Sequence, residues 1–444
     1  MTTTSEELTL GEVIDYFGYG SFSFKLTCIL GLLWFLDGID LTLITLIAPE
    51  LKCKWNLTSF QTALTSTGVF IGLAVGSIFW GKFADKFGRR IFSLLGVAFM
   101  LYFGLLTTVA TNVGWFLLMR FFVGLGLCSI ILSPTYVSEL ISSKYQGRVT
   151  FALASFFTLG NFYAASLAYL VMNRFGWRVF VFLATTPIGL TFGLLLWLPE
   201  SVRYLETIGS IDAIMKILNS ISVEHKMPIP KNIKFSKRIA ERGNVSKLFT
   251  KKFRIKTLLL MVLWVCVMVT YFVVLFLNTQ LEQMSGHATV ANESTCHTLT
   301  NSDYLQNMFV VLGEIPGLMV YVFIVDKFSR QKVFLSAFTV IITSLLTLWM
   351  YGTLFYVRTF VMFILRGTTT SALQLVWLYT AENCPTSLRA TLLGLCCGTA
   401  RWSLIFIPFF VQYLIRVSFT ATIFIFVGIC ILGGVVVVIR ERCK

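Results

Sequence analysis

The sequence predicts an all-α membrane protein with twelve transmembrane helices in two six-helix halves. Three observations carry this. The 444-residue chain is 56% hydrophobic and only 13% charged, too apolar for a water-soluble protein of that length. Apolar runs of about 20 residues, enough for a helix to cross a hydrocarbon layer of about 30 Å, recur from end to end. A pattern of charged residues in the first half also returns in the second.

The elements follow in order. Residues 1–23 are polar and acidic (Glu6, Glu7, Glu12, Asp15), lack the basic start of a secretory leader, and form an N-terminal segment. The first half, 24–198, holds apolar runs at 24–48, 60–80, 91–111, 115–140, 149–172 and 177–198. A polar, basic linker follows at 199–254, with short amphipathic stretches such as "IDAIMKILNSI". The second half, 255–439, holds runs at 255–278, 304–325, 333–352, 355–379, 391–414 and 418–439, and 440–444 is a tail.

Twelve spans put both termini on one face. Most of the 36 lysines and arginines fall in the linker, the tail and the loops after even-numbered spans, so that face is expected to be cytoplasmic. The net charge of +15 is then an orientation signal and an attraction to anionic lipid. Nucleic-acid binding is not expected, because the largest basic group, 199–256, lies between spans and not on a free domain.

Most of the ten cysteines fall inside spans, where small soft side chains pack. Cys53 and Cys296 fall in loops on the oxidising face and form a candidate disulfide. Asn292 in the loop 279–303 is a candidate glycan acceptor, and Asn56, nearer the membrane, a second. No nucleophile triad, metal-ligand cluster or phosphate-binding loop occurs, and His225, His287 and His297 all lie between spans. Neither an enzyme nor a cofactor or metal is expected.

The halves repeat one pattern. "ADKFGRR" after the second span returns as "VDKFSRQ" after the eighth, aligning Asp85 with Asp326, and Arg120, Glu139 and Arg148 return as Arg366, Glu382 and Arg389 at a nearly constant offset. Parallel repeats of this kind place a binding site between the halves near the midplane.

"GKFADKFGRR", Gly81 to Arg90, resembles the motif between helices two and three of the major facilitator superfamily. The resemblance implies a switch, with Gly81, Asp85, Arg89 and Arg90, and Asp326 and Arg330 in the repeat, forming contacts when the cytoplasmic side closes. The plainer reading is a loop that only sets orientation. Arg120 fits the superfamily's helix-four pattern, which implies a structural or coupling role; snorkelling to the interface is the alternative for Arg120 and Arg366. Glu139 and Glu382 are expected to pair with loop arginines such as Arg148 and Arg389 as a structural network.

"PESVRYL" after the sixth span resembles a segment shared by sugar porters, organic ion transporters and vesicle proteins of this superfamily. "LDGID", "APELKCKW", "LTNSDYL" and "YTAENCPTSLRATLLGLCCGTARW" resemble its synaptic vesicle 2-related branch along almost the whole chain. That implies a monomeric secondary transporter in a vesicle membrane, or alternatively the plasma membrane. Its partners would be a small organic ion, a coupling proton or inorganic ion, and membrane lipid. A transport-inactive binding or regulatory protein on the same fold is the rival reading.

Asp37 and Asp40 lie inside the first span. An ionised carboxylate there costs about 2.5–3.5 kcal/mol even on insertion scales, so both must face protein or water. They share one helix face. They either line the route, sharing a proton or holding a cation, or pair with an arginine of a neighbouring helix. Arg401, about ten residues into its span, either binds a carboxylate or phosphate, as its place in related organic anion transporters implies, or bridges to Asp37 or Asp40. Glu314, beside Gly313 and Pro316, is either a coupling acid or part of a kinked, packed helix.

Overall fold

The computed structural model describes residues 8–230, 233–234, 245–251, 253–288, 298–325, 327–383 and 388–442. Asp326, Asn292 and Cys296 lie outside these, as does the side chain of Arg389.

Twelve helices are long and apolar enough to cross a membrane. In the first half they are Ser21–Lys54, Ser59–Phe87, Arg89–Thr108, Val113–Leu140, Gln146–Phe175 and Trp177–Leu195. In the second they are Arg254–Met284, Asn301–Val325, Arg330–Tyr351, Phe355–Glu382, Thr391–Leu414 and Phe419–Arg442. They are numbered 1 to 12 below.

Local sequence sets their ends. Thr58 caps span 2: its hydroxyl accepts from Gln61 N at 3.2 Å while Gln61 Oε1 accepts from Thr58 N at 3.0 Å. Asn112 caps span 4 through Trp115 N at 2.8 Å. Gly88 turns the chain between spans 2 and 3 at φ +108°, a conformation that side chains disfavour.

Two helices outrun their apolar stretches. Span 1 runs on to Lys54, and the helix of span 7 runs on to Ala288, taking in Asn278, Gln280, Glu282 and Gln283. The residues 279–288 were expected in a loop. They are polar but adequate helix formers, and Gln280, Glu282 and Gln283 are buried in protein, so hydropathy alone stopped too early. Span 8 breaks at Gly313 into Asn301–Leu312 and Glu314–Val325.

Spans 1 and 5 make the tightest crossing beside the site. A Cβ on Gly160 would lie 2.0 Å from the Phe35 carbonyl oxygen, and one on Gly38 2.2 Å from that of Phe157. Each glycine lets the other helix's backbone into the space a side chain would fill. Gly160→Val is therefore expected to force the helices apart, at a cost of about 1–3 kcal/mol or more, and to lower the melting temperature in detergent. Unchanged melting would show that the crossing is not this close.

The halves meet along spans 5 and 8, 2 and 11, and 1 and 7. Their side-chain contacts run from the middle of the membrane to the face opposite the chain termini. Phe70 packs its edge on Phe272 at 5.4 Å between ring centroids. Nearer that face Phe60 meets Phe409 at 5.3 Å, and Asn173 meets Asn301 at 2.8 Å.

On the terminal face the linker folds back on the first half. Its helices Val202–Ile208 and Ile211–His225 carry a buried apolar stripe at Ile214, Leu218 and Ile221. The N-terminal helix Leu10–Phe17 buries Leu10, Val13, Ile14 and Phe17, and Leu8–Thr9 pairs in parallel with Ile233–Lys234 of the linker, a short strand pair that hydropathy did not predict. His225 Nδ1 lies 3.0 Å from the Phe17 carbonyl oxygen, so this histidine ends a helix and ties it to the N-terminal segment. Burial pushes the Asp15 carboxyl up, but hydrogen bonds from Ser143 N at 2.7 Å and from the Ser142 and Ser143 hydroxyls outweigh it, holding the group below its ordinary 3.8.

Candidate functional site

The charges inside the membrane are held in three arrangements. The first is within the first half. Arg120 of span 4 donates to Asp40 Oδ1 of span 1 at 2.6 Å; Arg120 is 1% exposed and Asp40 7%. The guanidinium also lies over the Phe116 ring at 5.5 Å. Asp40 Oδ2 and Arg120 Nε and Nη2 are buried without a hydrogen-bond partner among the described residues. A cavity of about 10 Å³, large enough for one water, adjoins the pair and is lined by Met100, Thr185 and Ile188. Asp40 is therefore engaged by an arginine. Of the two readings of these acids, Asp40 takes the pairing with an arginine of a neighbouring helix. The same pairing shows why Arg120 does not snorkel.

The second arrangement joins the halves. Glu314, with no exposed surface, sits 2.6 Å from Arg366 Nε of span 10. Its other contacts come from span 5: Thr158 Oγ1 donates at 2.8 Å and Asn161 Nδ2 at 3.2 Å. Asn161 Oδ1 in turn accepts from Thr42 of span 1 at 2.9 Å, and Arg366 lies over the Tyr271 ring of span 7 at 5.1 Å. A polar chain thus runs across the seam through spans 1, 5, 8 and 10. The helix is broken at Gly313, and Glu314 makes a charged contact between the halves.

The third arrangement is Asp37 of span 1 facing Arg401 of span 11. The two interact electrostatically across the seam, and Arg401 also meets Cys397. Among the described residues neither forms a direct ion pair, Asp37 makes no hydrogen bond, and Arg401 Nη1 is buried without a partner.

At the terminal face the motif residues build a cluster within each half. Arg89 pairs with Glu139 and, at 3.4 Å, with Asp85. Glu139 Oε2 accepts from Ser201 at 2.5 Å, and Glu200 Oε1 accepts the backbone amides of Arg89 and Arg90 at 2.8 and 3.1 Å. Arg90 caps the Leu196 carbonyl at 2.5 Å, and Gly81 is exposed on the last turns of span 2. In the second half Arg330 repeats the role of Arg89, pairing with Glu382 at 2.8 Å. The partner of Glu139 is therefore Arg89, and not Arg148, whose guanidinium stacks over Tyr145 at 5.8 Å. Side-chain direction decides this, since the Arg89 guanidinium reaches the Glu139 carboxylate while that of Arg148 turns to Tyr145.

Asn56 is exposed between spans 1 and 2, in a left-handed turn at φ +50°. Cys53 is disulfide-bonded. Among the described residues no cluster of histidine, cysteine and acid side chains could hold a metal.

A family model described as "Sugar (and other) transporter" matches residues 32–441. The chain belongs to that family. It is a major facilitator transporter fold and not an enzyme. The chain is 32% identical to the synaptic vesicle 2-related protein of Xenopus laevis over 97% of its own length and 80% of that protein's. A partially occluded inward open structure of the xylose transporter XylE from E. coli superposes with a TM-score of 0.73 at 17% identity, covering 94% of this chain and 98% of that one. The proton:xylose symporter XylE bound to 6-bromo-6-deoxy-D-glucose gives 0.69 at 17% identity, covering 94% and 95%.

In this transporter the sequence reading missed Thr42, Thr158 and Asn161. The only available signal was an amide inside an apolar span, "TLGNFY". It also passed over Glu282, a buried acid of span 7 that accepts from Asn278 at 3.1 Å and faces Arg358 electrostatically.

Proposed function

We propose that this chain is a secondary active transporter that moves a small organic ion by alternating access, driven by a proton or inorganic ion through Asp37 and Asp40. The observation that carries the reading is the division of the buried charges. Asp40 and Arg120 form a pair inside one half, while Asp37 and Arg401 face each other from different halves with the seam between them. A pair such as Asp40 and Arg120 holds its charge only while both partners are ionised. Protonating Asp40 frees Arg120 and changes what the first half presents to the seam. Proton coupling in the symporter named above agrees with this role.

The contacts at the face opposite the termini, with the basic loops on the terminal face, support a reading in which the terminal face is cytoplasmic. The resemblance to a protein named for the synaptic vesicle favours a vesicle membrane, with the plasma membrane as the alternative. Asn292 and Asn56 are then lumenal glycan acceptors, and Cys53 with Cys296 a lumenal disulfide.

Uptake of organic ions into proteoliposomes, with and without a pH gradient, tests the reading. Wild type is expected to take up solute faster with the gradient, and Asp37→Asn and Asp40→Asn to lose that response. Flux indifferent to pH would leave a uniporter. Absence of flux in all three proteins would leave a binding or regulatory protein.

A further inference from the structure

We propose that the central site takes a zwitterion: one solute carrying an ammonium group that meets Asp37 and a carboxylate that meets Arg401. The inference rests on the transport reading above and narrows its substrate class.

It starts from a count of satisfied charges. Around the middle of the membrane Asp40 has Arg120, and Glu314 has Arg366, each at 2.6 Å. At the terminal ends Glu139 has Arg89 and Glu382 has Arg330. Asp37 and Arg401 have no such ion pair among the described residues. They are close enough to feel each other, yet they are not joined, and one guanidinium nitrogen of Arg401 is buried with no acceptor. Both residues are half-buried, and the Arg401 nitrogen held out of water without an acceptor among the described residues is costly, so each half presents one charge of opposite sign to the seam.

A ligand can relieve this in three ways. A cation would neutralise Asp37 and leave Arg401 with no counter-charge, because the acid that faced it is now spent on the ligand. An anion would neutralise Arg401 and strand Asp37 in the same way. A solute with both charges satisfies both groups and leaves the site as neutral as it began. The shapes agree. The planar guanidinium suits a carboxylate, which it can grip with two parallel hydrogen bonds. Trp34 lies three residues before Asp37 on the same helix face, its Nε1 buried without a partner, and offers an aromatic wall to an alkylated ammonium.

The geometry also links occupancy to motion. Asp37 belongs to the first half and Arg401 to the second, so a ligand touching both is held fully only at one separation of the halves. Binding energy is then available to draw them together.

The test measures thermal stabilisation of the purified full chain, since a ligand of the folded state raises apparent stability by mass action. Glycine betaine and a series from glycine through 4-aminobutanoate to 6-aminohexanoate are titrated beside tetramethylammonium and the alkylamine and alkanoate of matching length. At least one zwitterion is expected to stabilise wild type at a concentration at least about tenfold below its fragments, the tenfold being the 1.4 kcal/mol that one lost contact of this kind exceeds. The preferred chain length reads the gap between the two charges. The advantage should vanish in Asp37→Asn and Arg401→Gln, and Arg401→Asp should turn the preference toward amines. If Arg401→Gln does not fold, Arg401→Lys keeps the charge without the fork and should weaken binding of the carboxylate end without abolishing it. The proposal is overturned if fragments stabilise as well as zwitterions, if no zwitterion stabilises wild type, or if the variants keep the preference. Zwitterion binding without flux would sink the transport reading alone. Flux of a singly charged ion without zwitterion binding would sink this inference alone.

Discussion

Arg366→Ala is expected to destabilise the folded chain by about 3–5 kcal/mol, the usual cost of stranding one member of a buried ion pair. Glu314 has no exposed surface and would keep only Thr158 and Asn161 as donors. Two neutral hydrogen bonds do not replace a cation at 2.6 Å in a site without bulk water. The loss should appear as poor recovery from detergent and a lower melting temperature. The double variant Glu314→Gln with Arg366→Gln removes both charges and should regain most of the stability, because desolvating two neutral amides costs far less than stranding one charge. A single variant as stable as wild type, or a double variant no better than the single, would show that the pair does not hold the seam.

Asp40→Asn should abolish concentrative uptake while leaving exchange of solute across the membrane. One pH unit is worth 1.36 kcal/mol per proton, which supports about tenfold accumulation of a solute without net charge at one proton per cycle. In the variant the accumulated ratio should fall to about one at every gradient. Asp40→Asn strands Arg120 as Arg120→Ala strands Asp40, so both should lower stability, but only Arg120→Ala keeps a carboxyl that can take up the proton. Steady-state accumulation in proteoliposomes, with internal solute exchange measured in parallel, separates the two. Accumulation by Asp40→Asn at the wild-type ratio would remove this residue from the coupling path.

Much of this arrangement was legible in the sequence because membranes are strict solvents. Length and hydropathy place spans, and a carboxylate inside one is unusual enough to be noticed, as Asp37, Asp40 and Glu314 were. The repeat also revealed that Arg89 and Arg330, or Glu139 and Glu382, occupy matching places. What sequence could not supply was who meets whom. Arg148 lies close to Glu139 in the chain and Arg89 lies 50 residues before it, and only the folded packing assigns Glu139 to Arg89. Asp37 and Asp40 share a helix face, yet a three-residue step is enough to send one to Arg120 and the other toward Arg401. Thr158 and Asn161 went unread because single neutral polar residues in a span are common, and their meaning depends on a glutamate more than 150 residues away. The polar end of span 7 was lost for a related reason: hydropathy reports contact with lipid, and Gln280 and Glu282 are shielded by protein.

The crossing at Gly38 and Gly160 couples two places that look separate. Asp37 precedes one glycine in the chain, and Thr158 and Asn161 flank the other, with backbone against backbone and no compressible side chain between them. Spans 1 and 5 therefore behave as one stiff plate with almost no play. A shift of the carboxylate at one edge has to be accommodated at the clasp on the other.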